Sequence, residues 1–117
     1  LLAYSPMAFG ILSGKYRNGI LPEKSRLKLF PRMSRYSSQQ SFSATEEYAS
    51  IAEKYGISLA QLSLAFVNDR PFVTSNIIGA TTMLQLEENI NSINIKLSDE
   101  IITEINSVHN RIPNPAP

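Results

Sequence analysis

Ser75-Asn76-Ile77-Ile78-Gly79-Ala80-Thr81-Thr82-Met83-Leu84-Gln85 is the stretch on which the fold turns. From Phe72 to Ile78 the chain is rich in β-branched residues (Val73, Thr74, Ile77, Ile78) and stops at Gly79, which predicts a buried strand. Thr82-Met83-Leu84-Gln85 has the spacing of a helix cap, so a helix with Met83, Leu86, Ile90 and Ile93 on its apolar face should follow at once. A strand end running into a helix start gathers free backbone amides at the positive end of the helix dipole, an arrangement that favours an anion, phosphate above all. Gln85, Glu88 and Asn89 fall at i, i+3 and i+4 beside that point, where polar groups along one face can read a nucleoside. The same residues also fit a plainer pattern, in which Thr82 is only a cap and Gln85, Glu88 and Asn89 are a solvated helix face.

Upstream, Leu1 to Tyr4 is a short apolar run closed by Ser5-Pro6, a second buried strand ending in a loop. Met7 to about Ser41 is broken by Gly10, Gly14, Gly19, Pro22 and Pro31 and carries seven scattered cations from Lys15 to Arg35. Such long basic loops are usually functional or disordered. Arg26 has the planar fork that grips phosphate, and Lys15 a point charge, although a solvated basic loop would look the same. Ser43-Ala44-Thr45-Glu46 has capping-box spacing and predicts a helix start, with Tyr48, Ile51, Ala52 and Tyr55 on one face and Gly56 as its stop. Ser58-Leu59-Ala60-Gln61 repeats the capping signal between Ile57 and Leu62, and Pro71 ends that helix near Asn68. Leu97 and Ile102 flank Ser98 as a staple for a last helix with Ile101, Ile105 and Val108 inward. The tail from Pro113 to Pro117 is expected to lie extended on the surface.

Strand, loop, helix pair, strand, helix, helix is an α/β order whose strands should pair in parallel. Two strands do not close a barrel, and Leu1-Leu2-Ala3-Tyr4 reads as mid-strand, so residues are expected to precede it. In parallel α/β barrels the loops after the last two strands commonly hold phosphate, and the two strands here would be those two.

Composition narrows the function classes. The chain has 117 residues, 43% hydrophobic and 18% charged, and a formal charge of +1, which is too small for a clustered basic surface that would hold nucleic acid or anionic lipid. No apolar run approaches a membrane span and no leader is recognisable, so a soluble, cytoplasmic chain is expected. Without cysteine there is no disulfide or thiolate chemistry, and His109 alone cannot build a multi-histidine metal site. Its place near the end of the last helix suits the carbonyl end of the dipole. None of Tyr4, Tyr16, Tyr36, Tyr48 and Tyr55 has a cation in a pattern that would make it a proton donor, and Tyr48 and Tyr55 belong to a packing stripe. No Ser-His-Asp or paired-carboxylate arrangement is present.

Ala3-Tyr4-Ser5-Pro6-Met7-Ala8-Phe9-Gly10-Ile11-Leu12-Ser13-Gly14-Lys15-Tyr16 resembles the seventh-strand segment of the aldo-keto reductases, especially the branch with the potassium-channel β subunits. Ser75 to Ile90 is similar to that family's eighth strand and following helix, and Gly56 to Phe66 is also typical. The resemblance covers essentially all of residues 1–117. It implies the last two strands, their helices and the C-terminal helix of a partial (β/α)8 TIM barrel, with NADP(H) bound across its C-terminal face by segments 4–26 and 77–89. Ser5, Pro6, Met7 and Ala8, with Ser13 and Lys15 nearby, match the stretch over the pyrophosphate. Gly79, Thr81, Gln85, Glu88 and Asn89 match the positions around the adenosine 2′-phosphate and adenine, and Arg26 matches a basic contact from the long loop. Met7 replaces the more usual leucine, a volume-conserving change. The implied chemistry is hydride transfer from nicotinamide to a small carbonyl substrate. The Tyr, Lys, Asp and His that tune it lie on earlier strands, so no catalytic residue is expected within these residues. Two other readings stay open: a non-catalytic nucleotide-binding or regulatory module, and a decayed remnant that associates with itself or with a missing barrel half.

Overall fold

A computed structural model describes residues 1–32 and 34–116. Strand β1 (Leu2–Tyr4) pairs in parallel with β2 (Ser75–Ile77), in the register Leu2 to Ser75, Ala3 to Asn76 and Tyr4 to Ile77. The 3-10 turns Ala8–Ser13 and Arg17–Gly19 and the short helix α1 (Arg26–Leu29) break up the long basic loop. Helices α2 (Gln39–Lys54) and α3 (Leu59–Asn68) then cross to β2, and α4 (Met83–Asn91), a 3-10 turn at Ser92–Asn94 and α5 (Asp99–Arg111) complete the order.

The α/β order and the parallel pairing agree with the sequence reading, and four helix ends show why. Ser58 accepts from the Gln61 amide while Gln61 returns its side chain to the Ser58 amide, a complete capping box. Thr82 and Ser98 cap α4 and α5 through the amides of Gln85 and Ile101. At the far end of α2, Gly56 takes φ +70, the left-handed stop its position predicts.

Three expectations need correction. Helix α2 starts at Gln39, not near Ser43, because Ser38 is the cap and accepts from the Ser41 amide. Thr45 sits inside the helix and bonds back to the Ser41 carbonyl, a mid-helix habit of threonine that imitates a cap in sequence. The strand predicted over 72–78 shortens to Ser75–Ile77, since the Val73 amide is drawn into a turn by the Arg70 carbonyl. The tail does not simply lie on the surface: the Pro115 carbonyl accepts from the hydroxyls of Ser38 and Ser41, at 2.6 and 2.7 Å, and ties the tail to the start of α2. Pro117 lies outside the described residues.

The core lies on the helix side of the sheet. Ala44, Ala49, Ile51 and Ala52 of α2 meet Leu59 and Leu62 of α3 and Ile101, Ile105 and Val108 of α5, with Tyr48 and Tyr55 packed against them. A polar clamp on the α2–α5 seam joins Lys54 Nζ and Tyr55 Oη to Glu104 Oε1 at 2.5 and 2.7 Å. The Lys54 ammonium and then the Tyr55 hydroxyl hold the Glu104 carboxyl below its usual pKa, while the carboxylate raises both partners. The opposite sheet face is open, with Leu2, Tyr4 and Ile77 exposed.

Candidate functional site

Tyr4 and Ile77 are paired, so the loops that begin at Ser5 and Ile78 leave adjacent parallel strands at the same end of the sheet. Both predicted site segments are therefore neighbours by topology.

The first loop is shaped by its backbone. Ser5, Ala8 and Phe9 hold φ of 55, 47 and 61°, left-handed geometry that costs a non-glycine residue roughly 1–2 kcal/mol each. Such strain gathers at ligand-holding segments, where surrounding structure must enforce it. Tyr16 anchors the far end of the loop: its ring is buried and its hydroxyl accepts from the Leu27 amide at 3.3 Å, binding it to the start of α1. Gly10 is at φ +97, and a β-carbon there would meet Lys15 Cε at 3.3 Å, so the lysine lies folded across the glycine. Lys15 Nζ stands 5.2 Å from the Tyr16 ring centre and the Arg26 guanidinium 5.0 Å from that of Phe9. Ser13 Oγ donates to the Gly10 carbonyl at 2.7 Å and so braces the same turn. Arg17, Lys28, Lys54, Arg70 and Arg111 pair with carboxylates; among the described residues Lys15, Arg26 and Arg35 meet aromatic rings instead. A cation held on a ring, as Lys15 and Arg26 are beside the first loop, keeps its charge available for an anion.

The second loop is shaped by side chains. Gln85 Oε1 accepts from both the amide and the hydroxyl of Thr81 at 3.0 Å, and Asn89 Nδ2 donates to the Gly79 carbonyl at 3.3 Å. Thr82 Oγ1 takes the Gln85 amide, and the amides of Met83 and Leu84 have no acceptor within the helix. The helix start thus has donors to offer an anion beside a loop fixed in place.

Helix α4 also overturns the expected facing. Met83, Ile90 and Ile93, read as its apolar face, are exposed at 76, 56 and 60% of their surface, while Asn89 is the residue that α4 buries. Its polar side found partners on the body: Glu88 Oε1 accepts from Ser58 Oγ, the cap of α3, at 2.5 Å, and Asn89 reaches Gly79. Apolar spacing identifies a stripe, not the neighbour it meets, and the plainer solvated-face pattern fails for Glu88 and Asn89 alike.

The structure therefore brings Gly79, Thr81, Gln85 and Asn89 into one bonded group and draws Glu88 toward α3. Ser5, Pro6, Met7, Ala8, Ser13 and Lys15 lie on the first loop with Arg26 against its Phe9, and no hydrogen bond among the described residues joins the two groups. Sequence reasoning missed Asn68, Asn76 and Ser92, which carry no spacing signal and are met below. A cavity of about 430 Å³ opens behind the first loop, lined by Pro6, Leu12, Tyr48, Phe66, Ile105 and His109. It is largely apolar and lies among the core helices, away from the amides and cations described above.

The aldo/keto reductase family model matches residues 1–110, and this chain belongs to that family. The protein Tas of Escherichia coli is 48% identical over 117 residues, covering 100% of this chain and 34% of Tas. An aldo-keto reductase of Babesia bovis is 41% identical over 93% of this chain and 40% of its own length. A putative voltage-gated potassium channel subunit beta of Schizosaccharomyces pombe is 33% identical over 94% of this chain and 34% of its own. Among solved structures, a glycerol dehydrogenase from Gluconobacter oxydans superposes with a TM-score of 0.72 at 25% identity, over 99% of this chain and 35% of that one. The architecture is thus a partial (β/α)8 barrel, and the chain spans about a third of the length of the curated relatives first named here. No helix among the described residues is long and apolar enough to cross a membrane, and none of them group as a metal site.

Proposed function

We propose that this chain supplies the NADP(H)-holding part of an aldo-keto reductase, through segments 4–26 and 77–89, and that the whole protein reduces small carbonyl compounds in the cytoplasm. The observation that carries the reading is the Gly79–Thr82 turn, pinned by Gln85 and Asn89 at the start of α4, one strand away from a strained loop with Lys15 and Arg26 held against its aromatic rings. Amides at a helix start and arginine forks are the groups that recognise phosphate.

On this reading Gly79, Thr81, Gln85, Glu88 and Asn89 surround the 2′-phosphate and adenine, with Arg26 adding charge. Ser5, Pro6, Met7 and Ala8 close over the pyrophosphate, with Ser13 bracing the turn and Lys15 contributing charge. The dinucleotide supplies the hydride; this chain's residues bind and orient it. Catalytic residues belong to other strands of the barrel, and no nucleic-acid or membrane partner is required. The exposed sheet face, with Leu2, Tyr4 and Ile77, is the surface on which the rest of a barrel or a second copy would pack.

Calorimetric titration with NADPH tests the reading. Arg26→Ala and Gln85→Ala should each weaken binding about tenfold, the scale of one lost charged or buried hydrogen bond. No saturation at millimolar cofactor would exclude it. The potassium-channel β relative favours a second reading, a nucleotide-binding regulatory module without catalysis. Binding without turnover of an aldehyde panel in the full-length protein would select it.

A further inference from the structure

Beneath the Gly79–Thr82 turn a run of polar side chains crosses three elements. Asn76, on β2, donates Nδ2 to Asn68 Oδ1 at 3.2 Å; Asn68, the last residue of α3, donates Nδ2 to Ser92 Oγ at 3.2 Å. Ser92 Oγ donates to the Asn89 carbonyl at 2.6 Å, and the Asn89 side chain holds the Gly79 carbonyl. Ser92 and Asn89 are 2% and 5% exposed, and Asn76 Oδ1 is buried with no acceptor role filled. Burying so many polar groups is costly unless each bond is made, and an apolar cluster of the same volume would hold three elements together at less cost. What an apolar cluster cannot do is fix the direction of an amide and a carbonyl.

We propose that Asn68 and Ser92 are positioning residues for the Gly79–Thr82 turn. They tie it to β2 and α3, hold Asn89 on the Gly79 carbonyl, and so set the preference for a 2′-phosphorylated nucleotide. Neither side chain touches the nucleotide; each acts through Asn89. The preference rests on the nucleotide reading above, whereas the positioning of the turn does not.

Two measurements on Asn68→Ala, with Ser92→Ala as a second variant should the first fail to fold, separate these. Amide hydrogen exchange at Thr81, whose amide donates to Gln85 Oε1, should quicken by about tenfold in the variants, while the amides of α3 around Leu64 keep their protection. The ratio of affinities for 2′,5′-ADP and 5′-AMP should fall by about five- to tenfold, through weaker 2′,5′-ADP binding. Unchanged exchange at the turn overturns the positioning role, as does a uniform quickening that includes α3, which would mean general loss of stability. Quickened exchange with an unchanged ratio overturns the specificity role alone. If the unsubstituted protein binds neither nucleotide, the nucleotide reading fails and the preference with it, and the exchange result still decides the positioning role.

Discussion

The loops after β1 and β2 leave neighbouring strands at the same end of the sheet, yet they are held in opposite ways. The first takes its shape from the backbone, with Ser5, Ala8 and Phe9 in left-handed geometry and Lys15 folded over Gly10. The second has no left-handed residue between Ile78 and Thr82 and takes its shape from Gln85 and Asn89, which reach back from α4. A strained loop stores energy that its surroundings must hold, whereas a tethered loop is only as firm as its hydrogen bonds. Removing a tether should therefore destabilise the second loop, whereas relieving strain should stabilise the first.

The largest effect is expected in the tethered loop. Asn89→Ala leaves the Gly79 carbonyl without its side-chain donor and should destabilise the fold by about 1–3 kcal/mol in denaturant titration. In the strained loop, Gly10→Ala puts a side chain at φ +97 and against Lys15, and should cost about 1–2 kcal/mol by the same titration. Ala8→Gly reverses the sign: relief at φ 47, less glycine's extra entropy, should stabilise by about 0.5–1 kcal/mol. If Ala8→Gly destabilises instead, the strain account of the first loop fails.

The smallest effect is a control remote from both loops. Glu104 carries a lowered pKa in the folded state, first through Lys54 and then through Tyr55, so its contribution is present above the unfolded carboxylate range and is lost as pH falls through the folded value. Glu104→Gln should flatten that part of the acid limb in pH-dependent melting and leave nucleotide binding unchanged. An acid limb identical in the variant would show that the clamp contributes nothing measurable.

The same contrast explains what the sequence could and could not tell. Caps at Ser58, Thr82 and Ser98 were legible because a side-chain oxygen and an amide three residues on are a local pair. The pairing of Gln85 with Thr81 is local as well, and it surfaced as a polar helix face beside a strand end. Left-handed geometry at Ser5, Ala8 and Phe9 carries no residue signature, since glycine is the usual sign and the loop places it only later, at Gly10, Gly14 and Gly19. The inward turn of Glu88 and Asn89 depended on Ser58 and on a carbonyl ten residues back, contacts that spacing does not report. Asn68, Asn76 and Ser92 were invisible for the same reason: each is an ordinary polar residue until three elements meet. Ser43 misled because a serine ahead of Glu46 has the spacing of a capping box inside α2 as well as at its start.

Both loops serve one ligand if the proposed function is right, and a residue-resolved NADPH titration followed by NMR tests that most directly. Saturable shifts should appear together at residues 5–15 and at 79–89, with the amides of Met83 and Leu84 among the largest. Shifts confined to the apolar cavity near His109, or none at millimolar NADPH, would contradict the account.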